Sequence, residues 1–124
     1  GRKFADKAGL VDHVGYCAES TRETLQNLIN NDGGICLIGE TGTIGGVVGP
    51  HWANHKTLVG QELFWWSEGI EGLRLLRAAE SAAKILGCQH WTMITLQDVR
   101  PEAVGRIYKR QGYRLLEHSY IKEL

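Results

Sequence analysis

Leu58-Val59-Gly60-Gln61-Glu62-Leu63-Phe64-Trp65-Trp66 leads through Ser67-Glu68-Gly69-Ile70-Glu71-Gly72 into Leu73-Arg74-Leu75-Leu76-Arg77, and this run decides the fold. The first nine positions are rich in branched and aromatic residues, the composition of a central strand. Two glycines then interrupt it. From Leu73 to Leu86, Leu75, Leu76, Ala79, Ala82, Ala83 and Leu86 recur at helical spacing, while Arg74, Arg77, Ser81 and Lys84 recur on another face. Gly87 supplies the helix stop, and His90 to Leu96 reads as the next strand. Strand, helix and strand in succession predict a parallel pair joined by a right-handed crossover.

Upstream, Ser20-Thr21-Arg22-Glu23 has the spacing of a capping box and opens a helix carrying Leu25, Leu28 and Ile29 on one face. Asn30 to Gly34 ends it. Ile35 to Glu40 and Thr43 to Val48 predict a hairpin turned at Thr41-Gly42, and Gly49 to Lys56 a loop. Downstream, Pro101 suits a first helical position, so Pro101 to Gln111 is a helix closed by Gly112. Tyr113 to Lys122 is expected to complete the sheet as one or two short antiparallel strands. Gly1 to Glu19 shows no clean period. The succession defines an α/β chain built on a mixed sheet.

With 124 residues the chain has room for one core, and a single domain over 1–124 is expected. A hydrophobic content of 43% is enough to fold without metal or disulfide staples. The 14 basic and 14 acidic residues cancel, which removes the electrostatic footprint of a nucleic-acid or anionic-membrane binder. No apolar run approaches the roughly 20 residues of a membrane span, and a cytoplasmic location is expected. Cys17, Cys36 and Cys88 lack CxxC spacing and are expected as reduced thiols.

The turn from Ser67 to Gly72 lies between a strand and a helix. A helix start offers unpaired N–H groups and positive dipole, and glycines let a phosphate approach the backbone. Further on, Tyr108-Lys109-Arg110-Gln111-Gly112-Tyr113 places a tyrosine on the last turn of a helix, four positions before a glycine. Together with the order of elements, these two segments resemble the Gcn5-related N-acetyltransferase (GNAT) family over roughly Ile35 to Leu124. In that family a glycine-containing turn after a central strand grips the coenzyme, and a Tyr-x-x-x-Gly-[Phe/Tyr] segment closes the site.

The resemblance implies a mostly antiparallel mixed sheet with a central, splayed parallel strand pair, flanked by helices. It implies acetyl-coenzyme A as co-substrate and a primary amine of a small molecule or protein as acceptor. The family turn reads [Gln/Arg]-x-x-Gly-x-[Gly/Ala]. Aligned on Leu75-Leu76, the matching positions are Ser67, Ile70 and Gly72, so only Gly72 is kept, with Gly69 one residue off register. Where the family often has Asn seven residues before the tyrosine, this chain has Pro101. Coenzyme contacts are expected from Phe64, Trp65, Trp66, Ser67, Gly69, Ile70, Gly72, Leu73 and Arg74, with Arg77 a further cation on the helix.

Acyl transfer needs a base for the amine and an acid for the leaving thiolate. A phenol remains protonated at neutral pH, so Tyr108 is the expected acid. Glu62, a carboxylate on the strand where the family often carries one, is the expected base; the competing reading is a solvated edge charge. His51 and His55 are four apart but have no third ligand nearby, and no metal is expected. A homodimer is compatible with the short amino-terminal part. The alternative function is a GNAT-fold module that has lost turnover and binds an acyl coenzyme or a protein partner, suggested by Ser67 and Ile70.

Overall fold

The computed structural model describes residues 15–124, and what was expected of residues 1–14 lies outside them. The described elements are α1 (Ala18–Asn30), β1 (Gly34–Ile38), β2 (Gly42–His51), β3 (Asn54–Ser67), α2 (Glu71–Ile85), β4 (His90–Thr92) and α3 (Pro101–Arg110). Two compact units result. One spans Glu19–Met93, and the other groups Ile94–Leu124 with residues 15–18.

In the first unit the strands form one sheet in the order β1-β2-β3-β4. The first two pairings are antiparallel, and β3 pairs with β4 in parallel, as the strand-helix-strand pattern predicts. Helix α2 packs on β1, β2 and β3. Its face of Leu75, Leu76, Ala79 and Ala83 is buried, Arg74, Arg77, Ser81 and Lys84 are exposed as expected, and Ile44 and Leu76 are the large side chains wholly removed from water. Leu86 falls past the helix end and is 39% exposed. There the Gly87 amide bonds the Lys84 carbonyl and the Cys88 amide that of Ala83, with Gly87 at φ +95°, a complete Schellman stop.

Five expectations change. Helix α1 starts at Ala18, so Ser20 is already helical and cannot act as an N-cap, which needs non-helical backbone; Ala18 and Glu19 favour the helix, and Glu19 suits its positive end. The segment from Gly49 to Lys56 is a hairpin instead of a loop, with β2 running to His51 and β3 starting at Asn54. Pro50 fits there because the Val48 amide, two residues earlier, already bonds Gly33 just before β1 begins; the proline nitrogen points the same way, past the end of that strand.

The strand expected from His90 to Leu96 stops at Thr92. Tyr113 to Lys122 forms no strand, and Leu115, Leu116, Tyr120 and Ile121 are all more than 60% exposed. Strand preference takes effect only where a neighbouring edge and a buried face are present. Among the described residues β4 therefore stands at the sheet edge, and the parallel pair lies there, not at the centre.

Candidate functional site

The β3–β4 ladder is short: Val59 opposes His90, Gly60 opposes Trp91 and Gln61 opposes Thr92, and there it ends. Strand β3 continues to Ser67. The break coincides with a bulge, since Gly45 opposes Phe64 and Gly46 opposes Glu62, leaving Leu63 as an extra residue. A bulge bends its strand and steepens the local twist, so β3 changes course just past the point where its pairing with β4 ends.

Glu62 sits at the bend. It is 6% exposed and is the buried charged residue of the described chain, so the solvated-edge reading does not hold. Directly opposed residues share a face, which places Glu62 with Gly46, and alternation adds Gly60. The Trp91 ring covers this glycine floor: a Cβ on Gly46 would meet its Cη2 at 2.6 Å, and one on Gly60 would overlap the ring. The indole N–H donates to the Met93 sulfur at 3.1 Å. Sequence reasoning missed Trp91; two glycines within one strand pair, beside a tryptophan, were the available signal.

Trp65 shares the α2-covered face with Ile44, and its indole N–H donates to the Gly72 carbonyl at 2.9 Å. Phe64 and Trp66 oppose Gly45 and Thr43, on the other face, and both are half-buried. The expected alternation of the three aromatics is therefore present.

The following turn is closed on itself. Ser67 Oγ donates to the Gly69 carbonyl at 3.1 Å and accepts the Gly69 amide at 3.2 Å, while the Glu68 amide donates to the Thr41 carbonyl at 2.8 Å. Ile70 occupies the N-cap of α2 and has no side-chain cap to offer. The first helical residue supplies an anion instead: Glu71 Oε2 accepts the Thr41 amide at 3.1 Å and its hydroxyl at 2.9 Å. Gly39 makes room, since any Cβ there would overlap the Glu71 carboxylate. An acidic side chain in a first helical turn complements the dipole that a phosphate would otherwise use. Gly72, Leu73 and Arg74 follow in the first turn of α2, with Arg74 exposed. Sequence reasoning missed Thr41 and Glu71, whose signal was a first-turn acid.

Tyr108 belongs to the second unit. Pro101 is the first residue of α3, as predicted, and Arg100 before it is left-handed at φ 41°. The helix stops as α2 does: the Gly112 amide bonds the Lys109 carbonyl at 3.2 Å, the Tyr113 amide bonds that of Tyr108 at 3.0 Å, and Gly112 has φ +92°. The Tyr108 and Tyr113 rings lie 5.7 Å apart, the hydrophobic contact that accompanies this motif. Tyr-x-x-x-Gly-Tyr is thus a helix stop in its own right. Tyr108 is 7% exposed, and its hydroxyl donates to the Ile94 carbonyl at 2.6 Å.

His51 stacks on the exposed Trp52 and its Nδ1 accepts the Ala53 amide, which fixes it within the β2–β3 hairpin. Among the described residues no group of three or more His, Cys, Asp or Glu could hold a metal ion. None of their helices is long and apolar enough to cross a membrane.

The architecture is that of solved acetyltransferases. A probable acetyltransferase superposes with a TM-score of 0.68 at 14% identity, covering 99% of this chain and 88% of its own. The glucosamine-6-phosphate N-acetyltransferase of Arabidopsis thaliana gives 0.68 at 11% identity, covering 98% and 90%. A transcriptional regulator from Bacillus halodurans C-125 gives 0.73 at 17% identity, covering 99% and 89%. The GNAT resemblance seen in the sequence therefore holds as a fold: a mixed α/β chain with antiparallel strands, one parallel pair and flanking helices. No family model matches the sequence, and none of the curated proteins does.

Proposed function

We propose that the chain is an N-acyltransferase that moves an acetyl group from a coenzyme A-type thioester to a primary amine. The observation that carries this reading is the end of the β3–β4 ladder at Gln61 and Thr92, beside the buried Glu62. Acetyltransferase folds matched along almost the whole chain support it, and the Arabidopsis enzyme, named for an amino-sugar acceptor, supports an amine.

In the reaction the thioester C–S bond breaks, a C–N bond forms, and one amine proton is transferred overall to the departing sulfur. Glu62 takes the amine proton, directly or through water. Tyr108 is the candidate donor to sulfur, a role that requires its hydroxyl to leave the Ile94 carbonyl. Phe64, Trp65, Trp66, Ser67, Gly69, Ile70, Gly72, Leu73 and Arg74 are the proposed coenzyme contacts. The residues of the turn fit a diphosphate poorly, because Ser67 holds the Gly69 amide and Glu71 brings a carboxylate to the helix start.

A second reading, a binding module without turnover, is favoured by that engaged Tyr108 hydroxyl. A fold shared with a chain described as a transcriptional regulator agrees with it. Thiol release from acetyl-coenzyme A over a panel of amines separates the two: amine-dependent release supports the enzyme, and binding without release supports the module.

A further inference from the structure

We propose that the turn from Ser67 to Gly72 is closed to a diphosphate, so that thioesters of pantetheine serve this chain as donors as well as thioesters of the full coenzyme. The inference rests on the acyltransferase reading and adds a donor class to it. Glu71 is the specificity-determining residue. Its carboxylate is held by two hydrogen bonds from Thr41 and lies over the bare α-carbon of Gly39, so it is fixed at the helix start and not swinging in solvent.

Two of the amides at the entrance are already committed, Gly69 to Ser67 Oγ and Glu68 to the Thr41 carbonyl. Glu68 adds a second, exposed carboxylate to the same six residues. An incoming diphosphate would meet like charge where a helix start ordinarily offers positive dipole. Against this, the exposed cations Arg74 and Arg77 lie further along α2. A pantetheine arm carries amides and no charge, and it is indifferent to both carboxylates.

Titration calorimetry of the full chain with acetyl-coenzyme A and with acetyl-pantetheine tests this. The expected dissociation constants agree within about threefold. Glu71→Gln, which keeps an acceptor for Thr41, and Glu68→Gln should each tighten acetyl-coenzyme A by about fivefold and leave acetyl-pantetheine unchanged. A wild-type preference for the coenzyme above about thirtyfold, abolished by Arg74→Ala, would overturn the proposal while leaving the acyltransferase reading intact. An unchanged ratio in both glutamine variants would overturn it as well. Failure of both thioesters to bind would remove the acyltransferase reading itself.

Discussion

The Tyr108 hydroxyl donates to the Ile94 carbonyl at 2.6 Å, tying α3 to the segment that precedes it. Buried hydroxyls satisfied in this way contribute about 1 kcal/mol of net stability. Tyr108→Phe keeps the ring against Tyr113 and removes only the bond, so urea unfolding should show a loss of about 1 kcal/mol. If the phenol also serves the leaving sulfur, turnover falls much further than that loss explains, with coenzyme affinity unchanged. Equal turnover in the variant would confine Tyr108 to its helix stop.

The glycine floor beneath Trp91 gives a second expectation. Gly60→Ala forces the indole off the sheet at the point where β3 meets β4, and overpacking of this kind costs about 1–3 kcal/mol. Tryptophan fluorescence should shift to the red in the folded variant as Trp91 becomes wetter. A variant as stable as the wild type, with unchanged emission, would show that the ring has room to move.

The thiols differ in exposure. Burial raises Cys36 and Cys88 above the ordinary thiol value of 9.0, whereas Cys17 is exposed. A thiol raised on folding favours the neutral form, so the native chain holds its proton more tightly than the unfolded chain. The resulting stability is complete below 9.0 and is lost as pH rises through the raised native values. Disulfide-exchange labelling at about pH 8 should modify Cys17 first and reach Cys36 and Cys88 only slowly. Three equal rates would contradict this ordering.

Much of the frame was legible because long periodic segments overrule local ambiguity. Leu75, Leu76, Ala79 and Ala83 lie on the buried face of α2, and the glycines at 87 and 112 end their helices with positive φ. Errors arose where neighbours decide. Pro50 sits in a strand because β1 does not extend beside it, and Tyr113 to Lys122 has strand composition but pairs with no strand. The site was half legible for the same reason. Glu62 could be picked from its strand, but its burial follows from a bulge at Leu63 that no periodicity signals, and the Glu71–Thr41 clasp joins residues thirty positions apart.

Amine-dependent release of thiol from an acetyl thioester, followed against pH in the wild type and in Glu62→Gln, tests the central reading most directly. The expected outcome is release by the wild type and a deficit in the variant that is deepest at low pH, where the amine is hardest to deprotonate. Release that is absent with every amine and both thioesters, or equal in the two proteins at every pH, would contradict it.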